Sequence, residues 1–294
     1  MKDQRQAMIL GVTTVLLWST AATAFKVSLE YLSRTGLMFW AVTVSVLVLV
    51  AWQAWQGRLG ETFRPGRRAL LLSLGFGLIN PVLYYILLFG AYDLLPAQEA
   101  MAINYTWALT LTYLSVPFLG HRLTSVDILA GLVCYGGVLV IATRGQPLAF
   151  EISSAAGVGL ALLSTLVWAF YWIFNTRDTR EPVAGLLLNF VVAWPLILAL
   201  AVWDGWQWPA WQGVAAAAWV GAFEMGIAFV LWLLAMKKAT NTSRLSNLIF
   251  LSPPLSLVFI AVVVGEPILG STVVGLAMVL AGLYLQQHVH SRRQ

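Results

Sequence analysis

Glu224 is a carboxylate about fourteen residues into an apolar run over 211–236, near the middle of any helix that run would form. An acid at that depth in hydrocarbon is costly unless paired or protonated, so such groups bind cargo, relay protons, gate a path or tie helices together. Asn80 lies at similar depth in an apolar run over 69–92. Pro81 follows it directly, removing a backbone donor and freeing a carbonyl one turn earlier. The chemistry expected is recognition, without bond making. Asn80 would meet a carboxylate through its amide and Glu224 would attract an ammonium. The flanking Gly221 and Gly226 would let a ligand or a neighbouring helix approach the backbone. Helix tying by Glu224, and a kink with an internal hydrogen bond at Asn80, are the alternatives.

Aromatic spacing adds candidate contact surfaces. Asn80 and Tyr84 are four apart and would share a helical face, as would Trp168, Tyr171, Trp172 and Asn175 at spacings of three and four. Trp18 and Trp107 also lie inside apolar runs. Together they would offer stacking area to an aromatic or bulky apolar group. Trp52, Trp55, Trp203, Trp206, Trp208 and Trp211 fall at run ends instead, where an interfacial aromatic belt is expected. Charged groups nearer the ends supply gate candidates. Glu99 and Lys26 would balance each other at one mouth, and Arg244 would serve the other or merely snorkel. Glu266, followed by Pro267, is expected in a loop or at a helix start.

The elements that must hold these residues are membrane spans. Ten apolar stretches are expected, over 7–29, 36–56, 69–92, 95–118, 125–143, 153–175, 183–202, 211–236, 243–264 and 268–287. At about 1.5 Å per residue such stretches approach or exceed a hydrocarbon layer of roughly 30 Å. The 294 residues are 60% hydrophobic and 10% charged, with mean hydropathy +0.82, which excludes an ordinary soluble domain. The net charge of +5 comes from basic residues scattered between the stretches, so nucleic acid is not an expected partner.

Lys and Arg orient the chain. With both tails cytoplasmic, thirteen of them face the cytoplasm: Lys2, Arg5, Arg58, Arg64, Arg67, Arg68, Arg122, Arg177, Arg180, Lys237, Lys238, Arg292 and Arg293. Lys26, Arg34 and Arg144 face the other side. A multi-pass protein of a bacterial inner membrane, without a cleaved signal peptide, is expected. Cys134 is the only cysteine, so neither an intrachain disulfide nor a cysteine metal cluster is available.

The halves repeat. Trp18 in "VLLWST" matches Trp168 in "TLVWAF", and Gly120–His121 matches Gly265–Glu266 at an offset of 145, a register that also sets Gly136 and Gly137 opposite Ala281 and Gly282. Two five-span halves, 1–148 and 149–294, would insert in opposite directions as inverted repeats, an all-α arrangement suited to two states of similar energy. Gly131, Gly136, Gly137, Gly275 and Gly282 would let the last helix of each half pack closely, as a scaffold or an oligomer seam.

With Trp18–Ser19, Trp168–Ala169, Pro253–Pro254 and Gly265–Glu266 in these places, the chain resembles the EamA-like branch of the drug/metabolite transporter superfamily over its whole length. Within that branch it is similar to bacterial aromatic amino-acid exporters of the YddG type. The first half departs from the pattern at His121, where a Glu is more typical. The resemblance implies export of Phe, Tyr, Trp or other amino acids by alternating access, with no enzymatic step and no cofactor. No Walker-type loop points to ATP. Glu224 offers a route to proton coupling, with facilitated diffusion as the alternative. Export of another small metabolite or a lipophilic cation, and a channel or noncatalytic scaffold, are the competing readings.

Overall fold

In hydrocarbon no water satisfies backbone N–H and C=O groups, so an apolar chain crosses as helix, each turn bonding the one before. The computed structural model describes residues 3–120, 125–146, 153–175, 177–206, 208–239, 245 and 247–291, and every regular element among them is helical. Seven helices are long and apolar enough to cross a membrane: Gln4–Leu29, Arg34–Trp55, Arg67–Leu94, Ser125–Ala142, Ala155–Asn175, Pro182–Trp203 and Trp211–Lys238. Two shorter apolar helices, Leu248–Val264 and Gly270–Leu285, fall in the last two expected spans. Exposed Leu47, Leu132 and Val262 belong to a wide apolar exterior that lipid would cover.

The stretch expected as one span over 95–118 is divided into Ala97–Asn104 and Trp107–Leu119. The Thr106 hydroxyl donates to the Ile103 carbonyl at 2.8 Å, a local bond that competes with helix continuation. A comparable break bends Gln4–Leu29 at Thr20, whose hydroxyl donates to the Leu17 carbonyl at 2.7 Å. The two 28-residue helices, Arg67–Leu94 and Trp211–Lys238, are each interrupted near the middle, the first by a kink within Leu78–Leu83 and the second by a wider π-helical segment, Val220–Ile227. In the first, Asn80 adopts an extended conformation and the Asn80–Pro81 peptide is cis.

The chain forms two compact units, and each draws on both halves of the sequence. The first comprises residues 1–86 and 179–256. Gln4–Leu29 packs on Trp211–Lys238, and Arg34–Trp55 packs on Pro182–Trp203 and on the 220–227 segment. Ala7, Ala235, Ala239 and Leu245 form a core of small side chains where the first of these contacts is tightest. A Cβ on Gly221 would collide with the Ala41 carbonyl, so the glycine admits Arg34–Trp55 against the π-helical backbone. Of the two roles expected for Gly221, close helix approach is the one seen.

At one end of this unit Glu181 joins three helices. It accepts from the Ala184 N–H at 2.7 Å and from Gln53 Nε2 at 3.1 Å, and Lys237 Nζ lies 3.7 Å away. Arg180 beside it donates to Ser73 Oγ and to Asn189 Oδ1, fastening the start of Pro182–Trp203 to Arg67–Leu94.

The second unit comprises residues 87–178 and 257–294. Its tightest seam joins Ser125–Ala142 to Gly270–Ser291, where Cβ atoms on Gly137, Gly275 and Gly282 would meet the carbonyls of Gly275, Gly137 and Ala130. Gly136, Gly137, Gly275 and Gly282 therefore serve a mutual contact, with Ile141 and Leu276 in the adjoining core, whereas Gly131 faces Tyr113.

Candidate functional site

The polar groups at mid-span in the first unit centre on Glu224. A π-helical segment lets backbone and side chains leave the regular ladder, and such segments recur at functional positions. Tyr85 Oη lies 2.9 Å from both Glu224 Oε1 and Oε2, so one phenolic proton is shared across the carboxylate. Tyr85 is fully buried, while Glu224 keeps part of its surface accessible. Trp18 Nε1 donates to the Glu224 backbone carbonyl at 3.4 Å. The Trp18 ring packs edge-on to Phe229 at 6.0 Å and tilted to Trp232 at 5.4 Å. A carboxylate presents about four acceptor directions, and one phenol occupies only some of them. The arrangement thus orients the acid and leaves it acceptor directions that Tyr85 does not use.

Asn80 stands in the extended stretch that interrupts its span. Its side chain is buried, and neither its amide oxygen nor its amide nitrogen has a hydrogen-bond partner among the described residues. No hydrogen bond joins it to Glu224. Tyr84, expected on the Asn80 face, is buried with its ring 4.8 Å from that of Tyr85. The tyrosine that reaches the acid is Tyr85, one residue further on. The four-residue spacing rule assumes an unbroken α-helix, and extended Asn80 within the 78–83 segment breaks that register.

In the second unit Trp168 and Tyr171 are buried and stacked, with ring centroids 5.3 Å apart, and Trp172 meets Trp168 edge-on at 5.8 Å. One turn earlier Ser164 accepts from Asn104 Nδ2 at 3.0 Å, and Thr165 lies 3.1 Å from Thr110. Trp107 is half-buried at the start of its helix.

The gate candidates divide. Glu99 is fully buried, bonded to Arg144 Nε at 3.1 Å and accepting from Ser153 Oγ at 2.6 Å. The turn at Arg144 carries this guanidinium to the start of Ala97–Asn104. Lys26 lies half-buried in the last turn of Gln4–Leu29. Arg244 and His121 lie outside the described residues. Glu266 caps that same short helix, accepting from the Ala97 N–H at 2.8 Å and the Gln98 N–H at 3.4 Å. Its helix-start role is therefore served on another helix. Among the described residues no group of three His, Cys, Asp or Glu could hold a metal ion.

A helical exterior that only lipid can cover, with an oriented acid and a buried amide within its spans, defines a multi-pass membrane carrier. The chain belongs to the EamA-like transporter family, whose model matches residues 5–143 and again residues 155–286. It carries small molecules across a membrane and is not an enzyme. It is 25% identical over 285 residues to the aromatic amino acid exporter YddG of Ancylobacter novellus, covering 95% of this chain and 96% of that one. A probable terminal-alkyne amino-acid exporter of Streptantibioticus cattleyicolor is 28% identical over 282 residues, covering 93% and 91%. A probable amino-acid metabolite efflux pump of Salmonella typhimurium is 25% identical over 301 residues, covering 96% and 94%. A protein of known crystal structure shares the fold with a TM-score of 0.68 at 24% identity, covering 99% of this chain and 100% of that one.

Proposed function

We propose that the chain exports aromatic or other amino acids from the cytoplasm of a bacterial cell by alternating access in the inner membrane. Ten segments are arranged as two inverted five-segment repeats, 1–148 and 149–294, with both termini cytoplasmic. The observation that carries the reading is the Glu224 carboxylate, aligned by Tyr85 at mid-span on a half-buried residue. An amino-acid ammonium is the cation this group suits, and the unpartnered amide of Asn80 suits the carboxylate end. Trp18 and Tyr84 supply aromatic surface in the same unit, and Trp107, Trp168 and Tyr171 are the candidates in the other.

Three observations support the repeat. One family model matches twice in succession. The offset of 145 that pairs Gly120 with Gly265 also brings 78–83 into overlap with 220–227, so the kink of one helix and the π-helical segment of the other fall at overlapping places. Gly120 and Gly265 have φ of 73° and 76°, the left-handed conformation that ends a helix. The amino-acid exporters among the relatives support the cargo class.

Transport requires affinity to differ between inward-open and outward-open states, since a cargo that binds both equally shifts neither. Exchange of a proton for an ammonium at Glu224 would couple export to a proton gradient, and facilitated diffusion needs no such exchange. A lipophilic cation is the second reading, favoured by the Trp18 and Trp232 rings packed where Trp18 bonds the Glu224 backbone. Flux of labelled Phe, Thr and a quaternary cation into proteoliposomes, with and without an imposed pH gradient, tests these readings. Saturable Phe flux is expected. Cation flux without amino-acid flux would overturn the proposed cargo.

A further inference from the structure

The connection between Arg34–Trp55 and Arg67–Leu94 carries Arg58, Arg64, Arg67 and Arg68 against a single acid, Glu61, and all five are exposed. It is ordered. The Arg58 N–H bonds the Gln53 carbonyl at 2.9 Å, and a short helix, Leu59–Thr62, is closed by Thr62 Oγ1 donating to the Arg58 carbonyl at 3.1 Å. Trp55 is 75% exposed and Phe63 is exposed beside the arginines. Neither Arg67 nor Arg68 stabilises its own helix, because both occupy its first turn, at the positive end of the peptide dipoles.

Below Arg67 the same helical face continues as Leu71, Leu74 and Leu78, at spacings of four, seven and eleven, and all three are exposed. Eleven residues at 1.5 Å each give a stripe about 16 Å long, close to the roughly 15 Å depth of one leaflet. A guanidinium therefore heads an apolar stripe with the dimensions of an acyl chain. Arginine suits phosphate through its planar fork of donors.

We propose that this connection is a docking surface for anionic phospholipid, with the lipid phosphate against Arg64, Arg67 and Arg68 and an acyl chain along Leu71, Leu74 and Leu78. Each arginine near a membrane surface strengthens attraction to anionic lipid about fivefold. Removal of three charges weakens it on the order of a hundredfold.

The test is thermal unfolding of the full chain in detergent, titrated with phosphatidylglycerol and in parallel with phosphatidylcholine and inorganic phosphate. Phosphatidylglycerol is expected to raise the midpoint selectively. A variant combining Arg64→Gln, Arg67→Gln and Arg68→Gln should unfold normally without lipid and need on the order of a hundredfold more phosphatidylglycerol for half the effect. Equal responses of the two proteins, equal stabilisation by phosphatidylcholine, or full stabilisation by inorganic phosphate each overturn the proposal. Should the variant fail to fold, native mass spectrometry of the unsubstituted chain decides. Preferential retention of phosphatidylglycerol over phosphatidylcholine supports the site, and equal retention overturns it.

Discussion

Glu224→Gln isolates charge from shape. The amide keeps the length of the side chain and one oxygen to accept from Tyr85, so the 2.9 Å phenol contact survives in half of its present form. What disappears is the negative charge available to a cargo ammonium. A hydrogen bond to a charged group is worth about 1.5–3 kcal/mol, which converts to roughly 10- to 150-fold in affinity. Binding of phenylalanine should weaken by that factor, whereas 3-phenylpropionate, which lacks the ammonium, should bind the two proteins alike. Competition against labelled phenylalanine in detergent reads both values, and a melting curve confirms that the variant is folded. Equal weakening of both ligands would mean that Glu224 shapes the site without touching the ammonium. No weakening of either would refute the argument.

Asn80→Ala should leave thermal stability unchanged or slightly raised, because both amide atoms are buried without a partner, yet it should abolish amino-acid flux. A large drop in melting temperature would refute that reading. Gly221→Ala should destabilise by about 1–3 kcal/mol, since its Cβ meets the Ala41 carbonyl, while Gly159→Ala, with open space at its Cβ, should be neutral. Unfolding of the purified variants ranks the two. Arg144→Ala should cost more than Glu99→Gln. The first leaves a buried charge held only by Ser153, worth about 1–3 kcal/mol given that Arg144 itself is half exposed, and the second leaves a neutral amide there.

Composition and run length made the helices legible, because in lipid an apolar run of sufficient length has few alternatives to a helix. The depth of Glu224 and Asn80 followed from counting residues along those runs. Their partners did not. Tyr84 was expected on the Asn80 face, and Tyr85 beside it is the residue that meets Glu224, beyond an interruption that Pro81 marks but whose geometry residue spacing does not give. Glu99 was legible as a charge near a span end, but Arg144 and Ser153 reach it from a turn and a helix start whose directions depend on packing. The division at 105–106 was equally hidden, since no loss of hydropathy accompanies it. Glu266 was placed at a helix start by Pro267, and nothing in the order of residues says that the helix it caps begins at Ala97.

The glycine seam between Ser125–Ala142 and Gly270–Ser291 brings main chain against main chain at Gly137, Gly275 and Gly282, with Ile141 and Met278 filling the space beside them. Sliding one helix along the other would drive a carbonyl into a neighbouring α-carbon, so this pair is built to travel as a single strut. The freedom needed to pass a solute must be sought in the interrupted helices instead. A disulfide engineered across the seam should therefore leave turnover intact, whereas a staple across an interruption should halt it.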